Sequence, residues 1–218
     1  MAAIALLAFA GNAFADTLQT EVAEYAKAYS DHNWAQVKLS KVPDSDPTSA
    51  RVLAIASRMA RLTDKKWELC VFDRKDAPPA FELPGYRLAV SKTLADRLSD
   101  DALAWVIGHE MGHGLMRHME QVLGSLMAED AEIKLLTGSY TPPPTWQKLF
   151  AAYAADAHRI ERQQEVDADG IGVKLATAAG FNGKAGAEQF LGALPTDAAD
   201  QGHPTPAQRL ALIDERKP

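Results

Sequence analysis

Between Leu18 and Tyr29 apolar residues recur three and four positions apart, the spacing of an amphipathic helix. The stretch Lys41 to Ser45 separates that pattern from the next. Asp46 then precedes Pro47, an N-cap residue followed by the residue type favoured in the first helical position, and predicts a helix through Met59. The segments Trp67 to Phe72 and Phe81 to Val90 are rich in aromatic and branched residues and are bounded by Pro-rich and Gly-containing breaks, so they read as strands that pair. Ser99 caps a further helix whose first turn carries Asp100 and Asp101, where carboxylates meet the positive end of the helix dipole. That helix is expected to run to about Leu126. Three consecutive prolines, Pro142 to Pro144, interrupt any helix. Helical patterning resumes at Trp146 and ends at Ala179, where Gly180 is a stop signal. Two short helices follow, one over Ala185 to Leu194 and one from Pro206 with Thr205 as its cap. The reading is an α+β fold, mostly helical, with a small β-sheet.

The 218 residues are 47% hydrophobic and 24% charged, enough for one well-buried core. A formal net charge of -6 argues against nucleic acid or an anionic membrane as the main partner, since both call for a basic surface. Cys70 is the only cysteine, which excludes an intrachain disulfide and a cysteine-built metal site. Met1 to Ala15 is apolar apart from Asn12 and ends in Ala13-Phe14-Ala15. This reads as a signal peptide cleaved before Asp16, although no Lys or Arg precedes the apolar run. The run falls short of the ~20 residues of a membrane span. The chain is therefore expected to be exported, periplasmic in a Gram-negative bacterium, with no integral span once mature. Its parts are a leader over 1–15, an N-terminal helical extension over 16–45 and a main domain over 46–218.

The chemistry is concentrated in His109-Glu110-Met111-Gly112-His113. Residues four apart stand about 40° from one another around a helix, so both imidazoles reach one ion from the same face. Glu110 is placed to take a proton from water at that ion. A catalytic zinc needs a third protein ligand from another element. Glu165 and Asp169 share a helical face one turn apart, so one can bind metal while the other holds a histidine ring. His118 lies five residues past His113 and, on a continuous helix, points away from the shared face. The metzincin spacing would need Gly at 116 and His at 119, and the chain has Met116 and Met119. His118 thus reads as a residue behind the ligands or on the helix surface. Trp34, Trp67, Trp105 and Trp146 read as core residues, Trp105 being one turn before His109. His158, Arg159 and Arg162 lie near Glu165 in sequence, and exposed ion pairing is the commoner use of such residues.

Leu83-Pro84-Gly85-Tyr86, the run Ser99 to Gly108, the HExxH motif, His118, the E-x-x-A-D of Glu165 to Asp169, and Gly202-His203-Pro204-Thr205-Pro206 followed by Arg209 together resemble the HtpX and CAAX-prenyl-protease family of gluzincin peptidases. The resemblance spans roughly Arg51 to the C-terminus. It implies a zincin-like domain with a small sheet packed beside the HExxH helix. It further implies one Zn2+ per chain held by His109, His113 and Glu165, with Glu110 as general base and Asp169 behind a histidine. His203 sits in a Pro-flanked loop that can bring its ring to the metal, as a stabiliser of the transition state or as a fourth ligand in a resting site. Its alternative is to cap a helix.

Two departures matter. The family often carries Asn-Ala before the strand beside the active site, where this chain has Pro79-Ala80-Phe81-Glu82, and the membrane helices of its best-known members are missing. The expected function is a zinc endopeptidase acting on unfolded or flexible polypeptides, which would add as a strand to a sheet edge, in envelope protein quality control with envelope or outer-membrane proteins as partners. The alternative is a metal-stabilised chaperone or scaffold with little proteolysis. An aminopeptidase lacks an upstream acidic motif to hold a free amino terminus. The segment Val122 to Thr145 is the candidate for occluding the site.

Overall fold

Asp46 opens the second helix as expected: its side chain accepts hydrogen bonds from the Thr48 and Ser49 amides, with Pro47 in the first turn. The computed structural model describes residues 2–125, 127, 158–195 and 203–215. Helix α1 (Ala2–Lys38) is followed by α2 (Pro47–Ala60), strands β1 (Glu68–Phe72), β2 (Ala80–Leu83) and β3 (Arg87–Ser91), and the short α3 (Lys92–Ala95). Helix α4 (Asp100–Met116) comes next, then α5 over 118–125, α6 (His158–Ala178), α7 (Gly183–Gly192) and α8 (Pro206–Glu215). No described helix is long and apolar enough to cross a membrane. The Pro142–Pro144 break, the expected helix start at Trp146 and most of the 122–145 segment lie outside the described residues.

The sheet has the order β1-β3-β2. β1 runs parallel to β3 with Cys70 opposite Ala89, and β2 runs antiparallel to β3 with Phe81 opposite Ala89. The stretch Phe81 to Val90, expected as one strand, is a hairpin. Gly85 and Tyr86 both take positive φ, 91° and 63°, the backbone twist that tight hairpin connections favour.

The HExxH helix also departs from its expected length. It does not run on to Leu126 but ends at Met116, because Arg117 adopts the left-handed conformation at φ 55°, ψ 45°. The chain then restarts as α5 in a new direction. At the other end the expected cap holds, with Ser99 Oγ accepting from the Ala102 amide. Gly180 ends the α6 region with φ 84°. Thr205 and Gln208 exchange side-chain to backbone hydrogen bonds at the start of α8, a reciprocal cap that fixes where that helix enters.

Helix α4 is the axis of the molecule. Leu103, Ile107 and Met111 pack with Ile55 and Met59 of α2 and with Leu88 and Val90 of β3. On another side Trp105 and Val106 pack with Ala187, Leu191 and Ile213 from α7 and α8. Against α6 the backbones nearly touch: a Cβ placed on Gly108 would stand 2.9 Å from the Cα of Gly172. That close crossing lets short side chains reach from α6 to α4, and it is what brings Glu165 to the histidines.

Candidate metal centre

One turn of α4 places His109 Nε2 and His113 Nε2 3.2 Å apart. From α6, Glu165 brings Oε2 to 3.4 Å from His109 Nε2 and Oε1 to 3.3 Å from His113 Nε2. Among the described residues, His109, His113 and Glu165 are the cluster able to hold a metal ion. Zinc takes nitrogen and oxygen donors at about 2.0–2.2 Å in a tetrahedron, so neighbouring donors stand about 3.3 Å apart. The distance between the two histidine nitrogens, and the distance from each to its nearer Glu165 oxygen, Oε2 for His109 and Oε1 for His113, are close to that edge. Glu165 is buried, and its Oε2 makes no well-formed hydrogen bond although His109 Nε2 and Arg209 Nη2 each stand 3.4 Å away, an arrangement a bound cation would complete.

Charge points the same way. Burial works against protonated His109, yet the carboxylates of Glu165 and Asp169 outweigh it and push its pKa up to about 10. Burial also opposes ionised Glu165, and His109 and His113 hold it far below the usual carboxylate range. The pocket therefore demands positive charge. A proton on His109 meets that demand in part, and a divalent metal meets it while also engaging Glu165.

Behind each ligand stands a partner. Asp169 Oδ1 lies 3.0 Å from His109 Nδ1. Arg209 grips Asp169 with two nitrogens, Nε at 2.8 Å from Oδ2 and Nη2 at 2.5 Å from Oδ1. Burial would raise the Asp169 pKa, but Arg209 and His109 lower it, so it stays a carboxylate and accepts the His109 Nδ1 hydrogen. Nε2 is then the nitrogen left to bind a metal, which displaces its proton. Arg209 Nη2 also lies 3.4 Å from Glu165 Oε2. In the sequence Arg209 stands out only through the family resemblance. Its grip on Asp169 joins residues 40 positions apart and follows from the docking of α8.

His118 is buried, and its Nδ1 lies 2.9 Å from His113 Nδ1. Burial and the neighbouring His113 push the His118 pKa down to about 4, so the ring is neutral. The turn at Arg117 accounts for this placement, which a continuous helix would not give.

Glu110 lies beside His109 on the wall of a cavity of about 400 Å³, which is also lined by Glu165, His203 and Arg209 and, on its apolar side, by Ala80, Leu94, Val106, Phe190 and Leu194. His203 is exposed, with Nε2 3.5 Å from Glu165 Oε1. All six residues singled out for the site, His109, Glu110, His113, Glu165, Asp169 and His203, thus stand around one centre. Trp105 is buried core, as are Trp34 and Cys70, and its ring centroid is 5.5 Å from that of His109. Trp67 is half-buried and Arg162 exposed. Trp146 and the side chains of His158 and Arg159 lie outside the described residues. One neighbour carried no sequence signal: Glu82 on β2, whose pKa is pushed up to about 9 by burial and by the charges of Glu120 and Glu110.

Two histidines one helical turn apart, joined by a glutamate from a separate helix on an α+β scaffold, make the donor set of a gluzincin-type zinc site. The chain belongs to Peptidase family M48, whose profile matches residues 45–217. It is 27% identical over 190 residues to a protein of Schizosaccharomyces pombe named mitochondrial metalloendopeptidase OMA1, covering 81% of this chain and 55% of that one. Proteins of the same name from Arabidopsis thaliana and Saccharomyces cerevisiae are 29% and 28% identical, over 67% and 68% of this chain and 31% and 46% of their own lengths. The chain spans about half the length of these relatives, or less.

Proposed function

We propose that the chain is a zinc metalloendopeptidase that hydrolyses exposed, extended segments of unfolded or flexible proteins. The observation that carries the reading is the donor triangle of His109, His113 and Glu165, with Glu110 on the adjoining cavity wall. Held by those three residues, zinc supplies a Lewis acid that polarises a peptide carbonyl and acidifies water. Glu110 takes the proton from the attacking water and passes it to the leaving amine. Asp169, kept ionised by Arg209, holds His109 in one tautomer throughout. His203 reaches the same cavity, where its ring steadies the oxyanion that develops on the substrate. Water is the nucleophile, so no covalent enzyme intermediate forms.

Two features support the substrate class. β2 pairs with β3 on one side only among the described residues, leaving an edge to which an extended peptide can add. The apolar cavity wall suits large apolar side chains, which folded proteins bury and unfolded ones expose. Relatives named as metalloendopeptidases support cleavage within chains. The leader-like first 15 residues support export and a role in envelope quality control, with envelope or outer-membrane proteins among the substrates.

The test is metal analysis of the purified protein together with cleavage of an unfolded protein, with and without chelator. One zinc per chain and chelator-sensitive cleavage are expected. Glu110→Gln should keep the zinc and lower hydrolysis by about 100- to 10,000-fold. Should the cellular role survive that change intact, the protein acts as a metal-stabilised chaperone or scaffold instead.

A further inference from the structure

We propose that His118 is the positioning residue for His113, accepting its Nδ1 hydrogen and so presenting His113 Nε2 to the zinc. The inference rests on the metallopeptidase reading and extends it to a residue outside the ligand set.

The contact between the two rings is governed by hydrogen-bond complementarity. Two imidazole Nδ1 atoms 2.9 Å apart cannot both carry a hydrogen and cannot both lack one, so one donates and the other accepts. His113 Nε2 faces Glu165 Oε1 and His109 Nε2, the position where a metal donor must be bare. The hydrogen of His113 therefore sits on Nδ1. His118 Nδ1 is then the acceptor, and its own hydrogen is on Nε2. The rings meet nearly edge to face, with centroids 4.9 Å apart and planes at 79°, so the contact fixes the plane of His113 as well as its tautomer.

The backbone is arranged to make this contact. Continued helically, His118 would point about 140° away from His113 around the axis. Arg117 instead takes a left-handed conformation, held at some cost in a residue that is neither glycine nor asparagine. The turn swings His118 back under the site. There the Gln164 side-chain amide donates to the His118 carbonyl at 3.4 Å and to Gln121 Oε1 at 3.3 Å. Gln164 immediately precedes the ligand Glu165, so His118 touches one ligand by its side chain and the neighbour of another by its backbone.

The partner's charge also matters. The group behind His109 is a carboxylate, and Arg209 neutralises it. The group behind His113 is a neutral imidazole. Neither partner adds net negative charge to the centre, which leaves the metal more electrophilic than a pair of uncompensated carboxylates would.

The experiment compares the full chain with His118→Ala and His118→Asn, the latter keeping an acceptor oxygen where Nδ1 stood. Zinc affinity is read by chelator competition, ligand geometry by the visible absorption of the Co2+-substituted protein, and folding by thermal melting of the metal-free protein. His118→Ala should weaken zinc binding about 10- to 100-fold and alter the Co2+ bands with the metal-free melting little changed. His118→Asn should recover most of the affinity. Zinc affinity and Co2+ bands unchanged in His118→Ala overturn the proposal. So does His118→Asn binding zinc as weakly as His118→Ala. If His118→Ala does not fold, His118→Asn decides alone: affinity near the parent's supports the proposal, and a loss of about tenfold or more overturns it. A parent chain that takes up no zinc overturns the metallopeptidase reading itself, a result distinct from all of these.

Discussion

Asp169 is almost fully buried, yet it remains charged because Arg209 and His109 meet it from two sides. A buried carboxylate without such partners takes up a proton, and β2 offers the contrast. Glu82 has Glu110 and Glu120 as its charged neighbours, and its pKa rises to about 9. In the unfolded chain it titrates near the ordinary glutamate value, so between about pH 4.5 and 9 the folded state holds a proton that the unfolded state has lost. Stability from this group is therefore full below pH 4.5 and falls as pH rises towards 9. Glu82→Gln cannot ionise. Urea unfolding of the two proteins should differ least near pH 4.5 and favour the variant increasingly towards pH 8, by at most about 1.4 kcal/mol per pH unit, and a gap that shrinks as pH rises contradicts the assignment. His203 calls for a different measurement. If its ring steadies the developing oxyanion, His203→Ala should lower kcat by about tenfold or more with KM and zinc content unchanged. Unchanged kcat and unchanged zinc together would remove it from the site.

At the scale of elements, the crossing of α4 over α6 decides whether the ligands meet. A methyl group at position 108 would press on the Gly172 backbone and on Met59 Cε, each at 2.9 Å, and backbone cannot rotate aside. Gly108→Ala should therefore cost about 1–3 kcal/mol in chemical unfolding and lower zinc affinity, because α6 must move away and carry Glu165 with it. Unaltered zinc binding in a destabilised variant would show that the crossing serves packing alone. Much of this arrangement was legible in the sequence because it is local: the i,i+4 histidines, the Glu165 and Asp169 face, and the Asp46, Ser99 and Thr205 caps each need only one helix to be recognised. What was not legible depends on distant partners. Arg117 has no intrinsic preference for positive φ, so nothing local announced the turn that ends α4 and carries His118 under the site. The turn at Gly85 and Tyr86 was hidden inside a run whose composition suited a strand. The role of Arg209 needed the docking of α8, which no periodicity in its own segment specifies.

For the molecule as a whole, the site joins pieces that are far apart in sequence: His109 and His113 from α4, Glu165 and Asp169 from α6, and Arg209 from α8. Zinc held by the first three ties α4 to α6 directly. An unfolded chain offers no such triangle, so metal binding is coupled to folding. Binding to the native state alone stabilises it by RT ln(1 + [L]/Kd), about 2.7 kcal/mol when free zinc is a hundredfold above Kd. Chelation should therefore lower the melting temperature by several degrees, by about 2–4 °C per kcal/mol for a chain of this length. His113→Ala supplies the control. With one ligand gone it should melt near the chelated parent and respond little to chelator. If the parent melts at the same temperature with and without chelator after verified zinc loading, the metal makes no contribution to holding α4 and α6 together. The helices would then be aligned by packing alone, and the donor triangle would be set before the metal arrives.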